Sequence, residues 1–321
     1  MTLSQPTNVP ENDNISKKLV KITKDTFDFG ILFIRVFHEL LIWTIQKLLP
    51  IDLKDVSKDI VLITGTGHGI GRELALQYAE LGSKVICIDI NEKSNKETVD
   101  KVNSIRKGSA YFYICDVTNR DAVLQLADKI KNEVGYVTIL INNAGIMPSH
   151  PINQHTEKEI RKVFEINILS HFWTVEAFFP HFIQAGRGHL VSMSSLAGLV
   201  GLSNLVPYCA TKFAVRGMME ALSEEIREGP LKGKINFTTI CPYMTNTGLC
   251  KKPKVKFPSI LGLLDPKEVA SAVIYSQRAN KVEVTIPSGL HPFSNFCRVI
   301  PLKCSILLKD FIDSGVESDL S

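Results

Sequence analysis

A short β-branched apolar run, Asp59-Ile60-Val61-Leu62-Ile63-Thr64, passes without a spacer into Gly65-Thr66-Gly67-His68-Gly69-Ile70-Gly71, and a helical pattern of Leu74, Ala75, Tyr78, Ala79 and Leu81 follows at once. A strand that feeds a helix through so many glycines has few folds open to it. Glycine permits a tight turn and close ligand approach, while the N–H groups at a helix start bind an anion such as a pyrophosphate. The next apolar run, Lys84-Val85-Ile86-Cys87-Ile88, ends in Asp89, an acid placed to accept hydrogen bonds from a ribose 2′-hydroxyl and to repel a 2′-phosphate. On that count NAD is expected, although Arg72 beyond the glycines and Lys93 beyond the acid leave NADP possible.

Two further strands are expected, Ala110 to Cys115, closing on Asp116-Val117, and Val137 to Ile141, closing on Asn142-Asn143-Ala144-Gly145. In an open parallel sheet the carboxyl ends of the strands line the ligand crevice. Asp116 and Val117 are therefore expected near an adenine, with Asn142 to Gly145 walling the cofactor. Asn, Asp and Gly also end strands for reasons of turn chemistry, and for Asn142 both readings hold.

Downstream, Tyr208 and Lys212 stand four residues apart, after an apolar strand that ends in Ser194-Ser195. On a helix that spacing stacks phenol and ammonium on one face, about 5 to 6 Å apart at Cβ. A phenol titrates near pH 10, so use as a base at neutral pH requires roughly 4 kcal/mol of differential stabilisation, and an ammonium pushes that way. The same spacing occurs on solvated helix faces, so the pair gains meaning only from its surroundings.

The 321 residues are 45% hydrophobic and 22% charged, enough for one large α/β domain with extensions. A formal charge of +4, with no Lys/Arg run interleaved with aromatics, argues against a nucleic-acid partner. The seven cysteines include no Cys-x-x-Cys pair and no adjacent His cluster. Neither a zinc site nor a disulfide framework is expected, and most thiols read as buried on a cytosolic or cytosol-facing protein. Asn14-Ile15-Ser16 and Asn236-Phe237-Thr238 fit the glycosylation pattern, but the second falls inside an expected core strand and neither is given weight.

Residues 1–28 are polar and read as a loosely ordered tail. From Phe29 to Leu49 apolar residues dominate as far as Pro50, interrupted by Arg35, His38, Glu39 and Gln46. At about 100° per residue, Asp28, Arg35, Glu39 and Gln46 form one narrow polar stripe on an apolar cylinder, the pattern of a helix lying in a membrane interface. Packing on the protein's own core or on a dimer partner is the plainer alternative. A cleavable signal peptide fits poorly, because the apolar region starts late and lacks a small-x-small exit.

Thr64-Gly65-x-x-x-Gly69-Ile70-Gly71, Asn142-Asn143-Ala144-Gly145, Ser195 and Tyr208-x-x-x-Lys212 occur in that order over residues 57–290. Together they resemble the short-chain dehydrogenase/reductase superfamily. The resemblance implies an α/β fold, a Rossmann-like doubly wound parallel sheet of seven strands, preceded here by the amphipathic or hydrophobic helix. Residues 291–321 form an extension whose apolar stretch from Pro292 to Phe311, with Arg298, Lys303 and Lys309 interspersed, reads as a second lipid-contacting element or a dimer contact. The resemblance also implies a catalytic set of Tyr208, Lys212, Ser195 and Asn167, the last holding a water in a proton relay. Ser195 is preferred to Ser194 by its separation from Tyr208. The implied cofactor site comprises Gly65, Gly67, His68, Gly69, Ile70, Gly71, Asp89, Asp116, Val117, Asn143, Ala144 and Gly145, with Tyr208, Lys212 and Thr247.

The sequence departs from the pattern at Cys241-Pro242-Tyr243, where Tyr243 replaces the usual glycine and is expected to bring a ring toward the substrate. Gly67-His68-Gly69-Ile70-Gly71-Arg72, Asp89-Ile90-Asn91 and Asn167-Ile168-Leu169-Ser170-His171-Phe172-Trp173 are similar to a membrane-associated group containing the type 11 and 13 17β-hydroxysteroid dehydrogenases and the epidermal retinol dehydrogenases. What the group implies is oxidation of a lipophilic alcohol, or reduction of its ketone, by a homodimer on endoplasmic reticulum or lipid-droplet surfaces, with the catalytic domain facing the cytosol. An NADPH-dependent carbonyl reductase and a lipid-droplet scaffold with little catalysis are the alternatives. The basic run Lys251 to Lys256, followed by Ile260-Leu261-Gly262-Leu263-Leu264, reads either as a packed or solvated loop or as a substrate-admitting lid that faces an anionic membrane.

Overall fold

The structure, a computed structural model, describes residues 12–46 and 49–320, with side chains from Lys17 to Ile45 in the first stretch. The start of the expected tail and residues 47 and 48 of the expected anchor lie outside the described residues. The chain divides into two units, Met1–Asp52 and Leu53–Ser321.

Among its described residues, the first unit contains one helix, α1 (Asn12–Gln46). This corrects the boundary at residue 28, because Lys17 to Asp28 belong to the helix and not to a tail. Lysine is a good helix former, and Leu19, Val20 and Ile22 extend the apolar spacing backward. Thr23, Thr26 and Thr44 turn their hydroxyls onto carbonyls four residues back, which keeps polar β-branched side chains compatible with the helix. Phe29, Phe33, Phe37 and Trp43 are exposed. Among the described residues, no helix is long and apolar enough to cross a membrane.

In the second unit seven strands form one parallel sheet: β1 (Ile60–Thr64), β2 (Lys84–Asp89), β3 (Ala110–Ile114), β4 (Ile139–Asn142), β5 (Gly188–Met193), β6 (Ile235–Pro242) and, after the short β7 (Pro253–Lys254), β8 (Glu283–Ile286). Their order is β3-β2-β1-β4-β5-β6-β8, the doubly wound sheet expected. Because both faces are covered, alternate strand residues enter different cores. Val61 and Ile63 pack with α2 (Gly69–Glu80), α3 (Glu92–Ile105) and α8 (Pro266–Arg278). Leu62, Leu140 and Leu190 pack on the other face with α4 (Arg120–Glu133), α6 (Ser170–Ala185) and α7 (Val206–Glu228). The winding order reverses between the parallel strands β1 and β4, which opens a crevice at their carboxyl ends.

Between α5 (Glu157–Phe164) and α6 the chain makes a π-helical turn, Glu165–Leu169, which carries Asn167. Beyond β8 come α9 (Leu290–Val299), α10 (Leu302–Ile312) and β9 (Gly315–Val316), which pairs antiparallel with β7. That pairing returns the carboxyl-terminal segment to the mouth of the crevice.

Candidate active site

The glycine turn packs too tightly for side chains. A Cβ on Gly71 would stand 2.0 Å from the Gly65 carbonyl oxygen, and Gly65 itself has φ +74° and lies against Ala144. Asn143 locks the turn from the β4 side: its Nδ2 donates to the carbonyls of Thr64 and Gly65 at 2.9 and 3.2 Å. Thr64 Oγ1 accepts from the N–H groups of Asn143 and Ala144. His68 sits at the amino cap of α2 without a side-chain cap bond, so the first N–H groups of that helix face the cleft with their partial positive charge. This cradle fits a dinucleotide pyrophosphate.

Asp89 closes the turn on its other side. Its Oδ2 accepts from the Gly67 N–H at 2.8 Å and its Oδ1 from the Asn91 N–H at 2.8 Å, so the carboxylate is held at the lip of the cleft. Arg72 points elsewhere. Its guanidinium donates to the Gly67 carbonyl and, at 3.0 Å, to Thr98 Oγ1, and lies 3.7 Å from Glu97. The arginine that left NADP possible is therefore committed to the protein.

The cleft has a volume of about 830 Å³. Gly65, His68, Gly69, Ile70, Asp89, Asp116 and Val117 line one end, and Asn143, Ala144, Gly145 and Thr247 line its walls. Ser195, Tyr208 and Lys212 meet the same space. Gly67, Gly71 and Asn167 stand behind the lining and shape it. Thr247 comes into register because its side chain rests over Gly69, 3.0 Å from where a Cβ would be. Asp116 uses Oδ1 to cap the Thr118 N–H and hydroxyl, so turn chemistry and cleft lining coincide there.

Tyr208 and Lys212 lie one turn apart on α7, with the ammonium 5.6 Å from the phenol ring centre. Both are buried, at 6% and 4% exposure. Lys212 Nζ donates to the Met193 carbonyl at 2.8 Å, and burial pulls its pKa down to about 8. Burial also dominates at Tyr208, pushing its phenol up to about 12 against a hydrogen bond from Ser195 that lowers it. The expected lowering by the ammonium does not prevail, because a buried phenolate loses more hydration than these partners return.

Ser194 and Ser195 separate cleanly. Ser194 Oγ donates to the Lys212 carbonyl at 2.8 Å, which ties β5 to α7. Ser195 reaches the Tyr208 hydroxyl and accepts the Ala197 N–H at 3.1 Å. Asn167, fully buried in the π turn, clasps Ile146 through a reciprocal pair of 2.9 Å bonds and reaches Thr211 Oγ1 at 3.3 Å. The widened turn gives the side chain this reach. A Cβ on Gly145 would be 3.3 Å from Asn167 Oδ1 and 3.7 Å from Lys212 Nζ, so asparagine, glycine and lysine form one packed corner.

Residues 59–255 match the short chain dehydrogenase family. This chain belongs to that family. It is 38% identical over 297 residues to short-chain dehydrogenase/reductase family 16C member 6 of Bos taurus, covering 92% of this chain and 93% of that protein. It is 38% identical over 268 residues to epidermal retinol dehydrogenase 2 of Homo sapiens, covering 84% and 86%, and 33% identical over 278 residues to human 17-beta-hydroxysteroid dehydrogenase 13, covering 87% and 91%. These relatives are the group expected from the motifs. A short chain dehydrogenase/reductase from Burkholderia phymatum, solved in complex with NAD, shares the fold with a TM-score of 0.68 at 23% identity, covering 76% of this chain and 94% of that one. A gluconate 5-dehydrogenase from Burkholderia cenocepacia, solved with NADP and tartrate, has a TM-score of 0.66 at 24% identity, covering 74% and 98%.

The substrate side of this short-chain dehydrogenase holds the residues that motif reading missed. Asp310, Asp313, Ser314, Val316 and Glu317 of the carboxyl-terminal segment line the cleft. The Tyr243 hydroxyl bonds the Ser314 hydroxyl, and Asn204 Nδ2 donates to the Val316 carbonyl at 2.9 Å. The basic run is spent here too. Lys254 pairs with Asp313 at 2.6 Å, Lys256 donates to the Phe311 carbonyl at 3.0 Å, and Lys251 lies 3.7 Å from Asp319. The tyrosine in place of the family's glycine and the basic run after it were the signals in the sequence that something would cover this end.

Proposed function

We propose that this oxidoreductase oxidises a lipophilic secondary or primary alcohol of the retinol or 17β-hydroxysteroid class, reversibly, with NAD as acceptor and NADP as a poorer substitute. The observation that carries the reading is the convergence of Ser195, Tyr208 and Lys212 between the glycine cradle and a cleft end walled by Val200, Leu202, Leu205, Leu249, Leu261 and Phe293. Asp89 at the cradle's lip, with Arg72 bound elsewhere, supports NAD.

Oxidised nicotinamide, when bound, supplies the acceptor for the hydride that leaves the carbinol carbon and a positive charge near the phenol. Tyr208, as phenolate, takes the hydroxyl proton, and donates it in the reverse direction. Ser195 hydrogen-bonds the substrate oxygen and steadies the charge that grows there. Lys212 supplies the cation beside the phenol. Asn167 fixes the Ile146 turn next to the ammonium and keeps a lone pair of Oδ1 for a relay water.

The exposed apolar face of α1 supports attachment to an endoplasmic reticulum or lipid-droplet surface, lying in it and not across it. Exposed Leu169, Phe172, Val206 and Phe213 on the elements carrying Asn167 and Tyr208 support a homodimer through those helices. The test is turnover of retinol, steroids and long-chain alcohols with NAD and NADP, alongside Tyr208→Phe. Turnover in the parent and a loss of about 10²- to 10⁴-fold in the variant, with cofactor affinity kept, are expected. Appreciable residual activity, or a clear NADP preference, overturns the assignment it addresses.

A further inference from the structure

Folding assembles a group of ligands that sequence spacing did not reveal. His150, His155 and Glu159 follow β4, and a ring nitrogen from each histidine and a carboxylate oxygen of Glu159 lie within 4.8 Å of one another. The two rings are 4.8 Å apart at their centres, and His150 Nε2 stands 3.3 Å from Glu159 Oε1. None of the three lines the Tyr208 cleft.

The hydrogen bonding around these rings is incomplete. His150 is 5% exposed and its Nδ1 has no partner, and neither ring nitrogen of His155 has one. His155 thus carries two buried nitrogens with no bond, a desolvation that a metal on either one would partly return. Glu159, by contrast, is already oriented. Its Oε2 accepts from the Thr156 N–H and hydroxyl, both at 2.9 Å, in the capping box that starts α5, while Oε1 faces His150.

We propose that His150, His155 and Glu159 bind a first-row transition metal of the Zn²⁺ type, with a fourth position open to water. Two imidazoles and a carboxylate suit zinc, whereas magnesium and calcium prefer oxygen donors. Bonds of about 2.0 to 2.1 Å in a tetrahedron place ligand atoms about 3.3 Å apart, the separation His150 Nε2 and Glu159 Oε1 already have. His155 lies between the 3₁₀ turn Ile152–Gln154 and α5, outside regular structure, where its backbone can close the remaining gap.

The metal braces the substrate side of the cleft. The His150 N–H donates to the Asn204 carbonyl at 2.9 Å, and Ser149 Oγ donates to the Glu317 carbonyl at 2.8 Å. Asn204 and Glu317 both line the cleft, so a fixed His150 loop holds the carboxyl-terminal segment over it.

The test uses the full chain titrated with Co²⁺, followed by Zn²⁺ competition and by thermal melting. The expected result is one Co²⁺ per chain with a tetrahedral d–d spectrum, displaced by Zn²⁺, and a melting temperature that rises with Zn²⁺. His155→Ala removes nitrogens that make no hydrogen bond, so it keeps the fold and loses the spectrum. Glu159→Gln keeps a cap oxygen and weakens binding by about tenfold or more, which decides the matter if His155→Ala is unstable. Cys304→Ser, at an exposed thiol, leaves binding unchanged. No Co²⁺ uptake, unchanged binding in both ligand variants, or a thiolate-to-cobalt charge-transfer band overturns the proposal.

Discussion

The phenolic hydroxyl of Tyr243 bonds the hydroxyl of Ser314, and this contact joins the end of β6 to the carboxyl-terminal segment across the substrate side of the cleft. A glycine at 243 has no group to make it. Tyr243→Phe should loosen the segment and raise KM several-fold, with kcat changed by less than about threefold, since a neutral hydrogen bond contributes about 1 kcal/mol. Steady-state kinetics on the best alcohol check this, and Ser314→Ala should give the same pattern. A fall in kcat with unchanged KM contradicts it.

The adjacent serines should respond differently to alanine. On the proposed reading, Ser195→Ala removes a hydrogen-bond donor to the substrate oxygen and should lower kcat by about 10²- to 10³-fold. Ser194→Ala breaks the bond to the Lys212 carbonyl and should cost about 1 kcal/mol of stability, read as a lower denaturation midpoint, with a much smaller loss of rate. Equal kinetic losses would merge the two roles.

On the proposed reading, Asp89, held by its bond to the Gly67 N–H, sets the preference for NAD. Asp89→Ala should weaken NAD binding by about tenfold and narrow the gap to NADP, because an acceptor is lost and a repulsive charge is removed. Binding titrations with both cofactors measure it. An unchanged ratio denies the aspartate its role.

His171 is fully buried with neither ring nitrogen partnered, and burial, with the Lys212 charge adding to it, holds its pKa at about 3. The unfolded chain takes up this proton near pH 6.5 and the folded chain does not. Its neutral form therefore favours folding fully above pH 6.5, and that stability is lost as pH falls from 6.5 toward 3, by up to about 1.4 kcal/mol per pH unit. His171→Leu should flatten the acid limb of stability, measured by urea melts between pH 7 and pH 4.5. An unchanged limb assigns acid sensitivity to other groups.

The proposed surface attachment rests on the exposed apolar side chains of α1. Phe33→Asp with Phe37→Asp should cut binding to phospholipid vesicles by about tenfold or more in flotation assays, through lost apolar burial, while turnover of a soluble alcohol persists. Undiminished vesicle binding moves the attachment elsewhere.

By itself the sequence determined the parts of this protein that depend on neighbours along the chain. The strands around Val61, Val85 and Ile139 were legible because a sheet covered on both faces demands continuous apolar runs. The glycine turn, Asp89, and Tyr208 with Lys212 were legible because a tight turn, a strand end and a helical repeat each restrict residue type locally. Tertiary structure decided what depends on distant partners. It tied Arg72 away from the cleft, gave Ser194 and Ser195 separate tasks, and let burial outweigh the ammonium at Tyr208. It also carried Ser314 to Tyr243 and gathered His150, His155 and Glu159. The contact of Tyr243 with Ser314 and the grouping of His150, His155 and Glu159 have no periodicity to read, because they are set by how the connections after β4, β6 and β8 pack in space.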